Sequence, residues 1–448
     1  MSGGRASWSG QLAFVLAAAA SAIGLGNLWR FPYLAARYGG GAFIVTYFLL
    51  ALTLGCTLMI TEIAIGRRSH QSQLTAFSAL GHRRWSWVGV LSTLVPFLIF
   101  PYYAVVGGWV TRYLARYVGS VAGCAGAIAD PGAYFDGVVA SGCDAVFFMA
   151  FFVAATIVVV RLGVKDGIER ANKVMMPLLF AMSIAIAAYV ACLPGSGAGI
   201  RYYLVPNFSA VEDFGKMILG AMGQMFYSLS LAMGIMIAYG SYMPRSSSIP
   251  KSAVRIAFAD TLFAILAGFM LIPVVYAKFG AEGTLTAGPG LLFKSLPQIF
   301  GGFGASGEWL GLVFFALVFF AALTSSISMC EACVAALCDR LGWSRVVAST
   351  VFGVYAVAVG VAPALAPSVL DGIDSFTNTM LVPLSAIGIC LFAGWAIGPV
   401  KLIAEIRDPG SRWRFARIYV FAIRYLAPVF VLAILVSQLL QTLGLWKI

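Results

Sequence analysis

Eleven apolar stretches, each long enough to cross a lipid bilayer, follow one another along nearly the whole chain of 448 residues. A membrane-spanning helix needs about 20 consecutive apolar residues. Charged residues make up 10% of the sequence, whereas a soluble domain has roughly 25%. The stretches lie near 11–36, 41–66, 87–117, 145–162, 167–192, 214–243, 252–278, 307–338, 346–366, 375–399 and 418–443. The sequence therefore predicts an all-α membrane protein that forms one transmembrane domain over 1–448.

Basic residues, which give the chain a net charge of +12, are gathered in alternate connections between the predicted helices. These clusters fall at 67–84, 161–173, 245–255, 340–345 and 401–417. The positive-inside rule places all of them on the cytoplasmic face of the cell membrane. The amino terminus is then cytoplasmic and, after an odd number of spans, the carboxyl terminus lies outside. This pattern indicates the lipid bilayer, and not nucleic acid, as the partner of the basic residues.

The first apolar stretch contains a break in its middle, at residues 21–27 with the sequence SAIGLGN. Two glycines close together weaken a helix that otherwise has the composition of a membrane span. In lipid, unpaired backbone groups are tolerated only where they line a cavity or are buried in protein. A broken membrane helix therefore indicates a solute or ion site near the middle of the bilayer.

A second interrupted stretch lies five helices later, at residues 228–234 with the sequence SLSLAMG. An odd offset inverts the second half of the chain relative to the first half. Glycine is frequent in membrane helices, so a single break is weak evidence for a site. Two breaks at corresponding places in inverted halves are the pattern that points to a transporter site.

Several polar side chains fall inside the predicted spans, at or near the two breaks. Ionisable groups there cost roughly 2.5–3.5 kcal/mol on insertion scales. The polar residues are Asn27, Glu62, Gln224, Ser228, Ser230, Asp260 and Thr324–Ser326. Their oxygens suit a hard monovalent cation. The alternative for Glu62 is a structural carboxylate that nearby backbone amides satisfy, and the alternative for Thr324–Ser326 is hydroxyl bonding to the preceding helical turn.

Other functional classes find little support in the sequence. The chain has 2 histidines, and Cys330 and Cys333 have no second ligand pair, so we interpret them as packing residues and not as metal ligands. A sensor on this scaffold would carry a sizeable cytoplasmic output domain, and the sequence does not contain one. A channel would show a continuous polar stripe, whereas the polar residues here gather near the middle of the membrane. A nucleotide-binding GxxxxGK[ST] motif is absent. We therefore predict a secondary transporter that is not an enzyme.

Six motifs resemble the neurotransmitter:sodium symporter family, and the likeness covers nearly the whole chain. The motifs are Ser21–Pro32, Gly39–Phe43, Glu62 with Gly66 and Arg67, Gly167–Arg170, Gln224–Gly234 and Leu323–Ser326. The resemblance implies a LeuT-like fold of the eleven-helix type. In that fold two inverted five-helix repeats, about 8–192 and 214–399 with helices 1 and 6 discontinuous, precede an eleventh helix at about 416–444. It also implies sodium-coupled amino-acid symport by alternating access.

The resemblance further implies a substrate site around the two breaks. The implied substrate-binding residues are Ala22, Leu25, Gly26, Ile99, Tyr103, Phe226, Tyr227, Ser228, Ser230, Met233, Ser325 and Met329. The amides of Leu25 and Gly26 would bind the substrate carboxylate at the positive end of a half-helix. Because Met233 and Met329 are apolar and adaptable, the expected substrate is a neutral, hydrophobic or aromatic L-amino acid.

Two sodium ions are the coupling ions that the resemblance implies. The first would bind Ala22, Asn27, Ser228 and Asp260 together with the substrate carboxylate, and the second would bind Ala20, Ile23, Ala321, Thr324 and Ser325. Asp260 stands where many members have Asn, and Ala264 stands where chloride-dependent members have Ser. Our hypothesis is that the Asp260 carboxylate supplies the negative charge that bound chloride supplies elsewhere. Ala232 replaces a common Gly, which predicts a shorter pocket or a stiffer break.

Gate residues can be carried over in the same way. Arg30 and Asp374 resemble the outer gate pair, with Tyr103 and Tyr227 closing the site beneath them. The inner gate residues that the resemblance implies are Arg5, Asp339, Trp8 and Tyr242.

Overall fold

The computed structural model describes residues 6–211, 213–285, 289–407, 413–442 and 445. Nine helices within these ranges are long and apolar enough to cross a membrane, and a bent pair makes a tenth span. We number eleven helices, counting α6, whose two short parts form the remaining span. They are α1 (Gln11–Ala22 and Leu25–Arg37), α2 (Gly41–Ser69), α3 (Arg83–Val121), α4 (Cys143–Arg161), α5 (Val164–Ala191), α6 (Phe214–Ser228 and Ile235–Gly240), α7 (Ile249–Gly283), α8 (Ala305–Leu341), α9 (Arg345–Leu365), α10 (Pro367–Ala396) and α11 (Ala416–Gln441).

Helix α1 is interrupted where the sequence predicts a break, and its halves, α1a and α1b, are bent by 59°. Ile23 is extended, with φ −78° and ψ 103°. Gly24 is also extended and has no room for a side chain, because a Cβ atom there would lie 2.6 Å from Ser325 Oγ. The second glycine is equally confined, since a Cβ atom at Gly26 would lie 2.5 Å from the ring of Tyr227. Both glycines thus let α1 approach its neighbours closely.

Helix α6 is unwound over residues 229–234, between its halves α6a and α6b. Ser230 (φ 52°) and Ala232 (φ 61°) have left-handed backbone conformations, which cost roughly 1–2 kcal/mol for a residue with a side chain. Side chains of two other helices hold this segment. The Ala232 N–H donates to Glu62 Oε1 at 2.7 Å, and Ser385 Oγ donates to the Ala232 carbonyl at 2.7 Å. Glu62 therefore has the backbone-amide partner that its structural interpretation requires.

The two breaks meet in the interior of the helical bundle. Ser230 Oγ donates to the Ser21 carbonyl at 3.1 Å, and Ser325 Oγ lies 3.2 Å from the carbonyls of both Ser21 and Ile23. Helix α1a packs against α7 and α8, and α3 runs along α8. Residues from α1, α3, α6 and α8 can therefore line one central cavity.

Helix α10 begins at Pro367, well before the predicted boundary at 375. Pro367 occupies a first-turn position, where proline's fixed φ and missing N–H are tolerated. Asp371 and Asp374 lie in the early turns of α10. Because these two residues are charged, the sequence before 375 does not read as an apolar stretch, and the predicted start of the helix was too late.

Candidate substrate and sodium sites

A buried cavity of about 40 Å³ lies between the two breaks. Its lining contains every predicted substrate residue except Phe226, and three further residues of the α1 break, Ser21, Gly24 and Asn27. Phe226 lines a smaller neighbouring cavity with Arg30 and residues of α11. The structure thus brings together residues that are more than 300 positions apart in the sequence.

Polar groups of this cavity come from the α1 break, from Tyr103 and Tyr227, and from Ser228, Ser230 and Ser325. Helix α1b begins at Leu25, and the first amides of a helix have no intrahelical partner. The Tyr103 hydroxyl is buried and has no hydrogen-bond partner among the described residues. Buried polar groups usually find partners. These donors are therefore suited to a ligand that accepts hydrogen bonds.

Apolar side chains from three helices complete the lining. Ile99 of α3 is 2% exposed, Met233 of the α6 break is 4% exposed and Met329 of α8 is 5% exposed. Methionine side chains adapt to differently shaped ligands. The cavity therefore combines polar groups with an adaptable apolar surface, as an amino acid with an apolar side chain requires.

Asp260 of α7 is fully buried beside the cavity and accepts three hydrogen bonds. Asn27 Nδ2 donates to Oδ1 at 2.8 Å, Ser228 Oγ donates to Oδ1 at 2.7 Å, and Tyr47 Oη donates to Oδ2 at 2.6 Å. Among the described residues no basic side chain forms an ion pair with Asp260. A buried carboxylate without a counter-charge is unfavourable. The cluster is therefore suited to a small cation.

Tyr47 is the member of this cluster that sequence reasoning missed. It lies in the second turn of α2, is fully buried and packs edge-on against Phe31 with ring centroids 5.0 Å apart. An aromatic residue in an apolar helix looks like an ordinary packing residue in the sequence. Its role becomes visible only through the position of its hydroxyl.

A second group of oxygen atoms lies where α8 faces the α1 break. Thr324 Oγ1 donates to the carbonyls of Phe320 and Ala321 at 3.0 Å, as the helix-turn alternative predicts. Ser325 Oγ is instead directed across to the Ile23 carbonyl at 3.2 Å. Ala20 is fully buried on the facing helix α1a. Hydroxyl and carbonyl oxygens of α1 and α8 are thus close together, without a charged side chain among them.

A larger cavity of about 230 Å³ lies next to the central one and contains both predicted outer gate residues. Tyr103 and Tyr227 line both cavities and so separate them. Arg30 and Asp374 form no direct ion pair in the described structure. Arg30 lies over the Tyr227 ring, 5.8 Å from its centroid, and Asp374 accepts hydrogen bonds from Tyr102 at 2.7 Å and Asn378 at 2.8 Å. Tyr102 and Asn378 were not predicted.

Trp8, a predicted inner gate residue, is buried against α6b. Its backbone N–H donates to the Tyr242 carbonyl at 3.0 Å, its Nε1 donates to the Tyr239 carbonyl at 3.0 Å, and it is 2% exposed. The Asp339 carboxylate accepts a hydrogen bond from the Ser72 amide at 2.6 Å. Arg5, its predicted partner, lies outside the described residues. Trp8 and Tyr242 are thus in contact.

Ala232 allows a test of the strain in the α6 break. It is 1% exposed and is not among the lining residues of the central cavity. An alanine in place of glycine here therefore affects the backbone conformation of the break and not the shape of the cavity. We expect Ala232→Gly to raise the free energy of unfolding by about 1 kcal/mol, because glycine adopts a positive φ without a Cβ clash. Melting temperature in detergent measures this. The exposed helical residue Ala154 is the matched control, since Ala154→Gly should lower the melting temperature. A decrease for both variants would contradict strain at Ala232.

Comparison with known proteins identifies relatives of the chain. The model of the sodium:neurotransmitter symporter family matches residues 5–122 and 136–445. An uncharacterized sodium-dependent transporter of Bacillus subtilis is 32% identical and covers 96% of this chain and 97% of its own length. One from Methanocaldococcus jannaschii is 34% identical over 92% of this chain and 87% of its own length. The human sodium- and chloride-dependent GABA transporter 2 is 26% identical over 75% of this chain and 62% of its own length.

A solved structure shows the same arrangement of helices. The crystal structure of MhsT in complex with L-phenylalanine has a TM-score of 0.86 and 36% sequence identity, covering 97% of this chain and 100% of MhsT. The chain therefore has the predicted LeuT-like fold, with two inverted five-helix repeats, discontinuous α1 and α6, and an additional α11. Together, the family model, the close sodium-dependent relatives and this fold show that the chain belongs to the sodium:neurotransmitter symporter family, whose members are sodium-coupled transporters and not enzymes.

Proposed function

We propose that this protein moves a neutral, hydrophobic or aromatic L-amino acid across the cell membrane together with two sodium ions. The observation that carries the proposal is the buried cavity at the meeting point of the two helix breaks, with hydrogen-bond donors at α1b and Tyr103 and an apolar lining from Ile99, Met233 and Met329. MhsT, which is 36% identical, was solved in complex with L-phenylalanine. That complex supports an amino acid of this chemical class as the substrate.

The substrate carboxylate would lie against the amides of Leu25 and Gly26 and accept a hydrogen bond from the Tyr103 hydroxyl. The positive end of α1b favours a negative charge at this place. The substrate amine would donate to the Ala22 carbonyl and to the Ser230 hydroxyl. This orientation directs the side chain of the amino acid toward the apolar lining.

Two groups of oxygen atoms would hold the sodium ions. The first consists of Ala22, Asn27, Ser228 and Asp260 with the substrate carboxylate, and the second consists of Ala20, Ile23, Ala321, Thr324 and Ser325. Sharing the substrate carboxylate makes the first ion and the amino acid bind cooperatively. The hydrogen bonds of Asn27 and Ser228 to Asp260, at 2.8 and 2.7 Å, support the first group because they gather its side-chain oxygens.

Transport would not require chloride, because the Asp260 carboxylate would provide the negative charge beside the first sodium ion. The human relative that is named as chloride-dependent is only 26% identical. Bound anions and carboxylates balance a nearby cation in the same electrostatic way.

The membrane potential makes two sodium ions sufficient as the energy source. One charge that moves inward across 100 mV contributes about 2.3 kcal/mol, so two ions contribute about 4.6 kcal/mol. At about 1.4 kcal/mol per tenfold change in concentration, this supports roughly a thousandfold accumulation of a zwitterion. No nucleotide hydrolysis is needed.

Alternating access would use the two closures on either side of the cavity. Arg30 and Asp374 would approach each other above Tyr103 and Tyr227 to close the outer side, and release of Trp8 from Tyr242 would open the inner side. With the basic connections in the cytoplasm, the amino terminus is inside and the carboxyl terminus outside. All eleven helices act in this scheme as one transmembrane domain.

A thermal-shift screen of the purified protein against all twenty amino acids, in sodium and in potassium buffer, tests this function. We expect hydrophobic or aromatic amino acids to raise the melting temperature in sodium and to have no effect in potassium. A ligand present at 100 times its Kd stabilises by about 2.7 kcal/mol, which is readily detected. Equal shifts in both buffers, or shifts with charged amino acids alone, would contradict the proposal.

A further inference from the structure

Helix α11, which lies outside the two repeats, is bonded to an irregular turn of α10. The segment Thr377–Leu381 of α10 is one of several π-helical turns in this structure, and such turns occur often at functional sites. The side-chain amide of Gln438 in α11 is oriented so that its nitrogen faces carbonyl oxygens. In this orientation Nε2 donates to the carbonyls of Asn378 at 3.0 Å and Thr379 at 3.3 Å. Gln438 thus binds carbonyls of the π-helical turn itself.

Residues of this π-helical turn form hydrogen bonds to Asp374, the predicted carboxylate of the outer gate. Asn378 Nδ2 donates to Asp374 Oδ1 at 2.8 Å and to the Asp374 carbonyl at 3.0 Å. Thr377 Oγ1 also donates to the Asp374 carbonyl at 3.0 Å. A single residue, Asn378, therefore connects Gln438 to Asp374.

A small cavity of about 20 Å³ lies at the same place, between α1b, α6a, α10 and α11. Its polar lining includes Arg30, Tyr227, Asn378 and Gln438, and its size is sufficient for one water molecule. Arg30 and Asn378 also line the larger outer cavity that contains Asp374. Polar groups of four helices thus converge behind the outer gate.

We propose that Gln438 is a positioning residue of the outer gate, which gives α11 a part in the transport cycle. Its two hydrogen bonds keep Thr377–Leu381 in the π-helical form, so that Asn378 directs the Asp374 carboxylate toward the cavity that contains Arg30. A π-helical turn holds one residue more than an α-helical turn. Reversion to α-helix rotates the preceding residues by about 100° and turns Asp374 away. This inference rests on the proposed gate function of Arg30 and Asp374.

Access of a thiol reagent to the outer cavity tests the proposal. The reporter is Val106→Cys on α3, which lines the outer cavity and belongs to neither α10 nor α11. The background replaces the exposed or half-buried cysteines Cys124, Cys143, Cys192 and Cys338 by Ser. Labelling of the purified protein by a charged methanethiosulfonate is timed in sodium, with and without L-phenylalanine.

Gln438→Met removes the amide and keeps the length of the side chain. The matched control is Gln441→Met on the same helix, because the Gln441 amide donates to the Ser437 carbonyl at 3.2 Å and to no other helix among the described residues. L-Phenylalanine should slow labelling at least fivefold in the parent and in Gln441→Met, and less than twofold in Gln438→Met. The parent tests the proposed function separately. If L-phenylalanine does not slow labelling in the parent, the result contradicts closure of the outer gate and not the role of Gln438.

Asn378→Leu provides a second variant that does not alter α11. Because the path from Gln438 to Asp374 runs through Asn378, Asn378→Leu should also lose the protection by L-phenylalanine. Equal protection in Gln438→Met and Gln441→Met overturns the proposal. Loss of protection in Gln438→Met that Asn378→Leu does not share also overturns it, because the defect would then be a general one of α11.

Discussion

Replacement of Asp260 by Asn is expected to weaken sodium-dependent amino-acid binding by about ten- to hundredfold in chloride-free gluconate buffer, or roughly 1.4–2.7 kcal/mol. The carboxylate is fully buried and is bonded to Asn27, Ser228 and Tyr47. Two unit charges 4 Å apart interact by about 4 kcal/mol at an effective dielectric constant of 20. Asparagine keeps the shape of the side chain and removes that charge. Equilibrium binding of a radiolabelled hydrophobic amino acid as a function of sodium concentration measures the effect.

Chloride provides the second arm of this experiment. The unaltered protein should bind and transport equally well in gluconate and in chloride, whereas added chloride should partly restore binding to Asp260→Asn. Asp144→Asn is the control for loss of an acidic charge, because Asp144 is 62% exposed and pairs with Arg112 at the surface. Unchanged chloride-free binding in Asp260→Asn would remove Asp260 from the sodium site. If the unaltered protein transports in chloride but not in gluconate, this would contradict chloride independence.

Replacement of Gly26 by Ala is expected to reduce the initial rate of uptake at least a hundredfold. A Cβ atom at this position would lie 2.5 and 2.6 Å from two atoms of the Tyr227 ring, a distance that forces the ring to move. Tyr227 separates the central cavity from the outer one. Its displacement should leave the substrate exposed to the outer side. Sodium-driven uptake into proteoliposomes measures the effect.

Gly126→Ala is the matched control, because a Cβ atom at Gly126, in the connection between α3 and α4, has nothing within 4 Å. Gly26→Ala should retain a melting temperature close to that of the control in the absence of substrate, which separates a blocked site from an unfolded protein. Uptake by Gly26→Ala at the rate of Gly126→Ala would show that the close approach of α1 to Tyr227 is unnecessary for transport.

Much of the fold follows from local features of the sequence. Apolar stretches fix the membrane helices because lipid excludes charged groups, and the glycines at 24 and 26 mark the break in α1 because they weaken a helix. The break in α6 is less evident, since Ser230 and Ala232 take positive φ values that non-glycine residues rarely adopt. Contacts from Glu62 and Ser385 stabilise that conformation, and such tertiary contacts are not visible in local sequence.

The site was predictable where a residue type is unusual for its place, and unpredictable elsewhere. Asp260 stands out because a carboxylate inside an apolar membrane helix is energetically costly and therefore indicates a functional role. Tyr47 and Tyr102, which each donate a hydrogen bond to a key carboxylate, resemble ordinary packing residues. Gln438 is equally inconspicuous, because its role depends on a π-helical turn in another helix, and no local pattern predicts that turn.

The decisive measurement is a structure determined in sodium gluconate with L-phenylalanine. We expect the amino acid between the breaks of α1 and α6, with its carboxylate at Leu25 and Gly26, one sodium ion at Asp260 and a second at Thr324 and Ser325. An amino acid bound only in the outer cavity, or a continuous helix through either break, would contradict it.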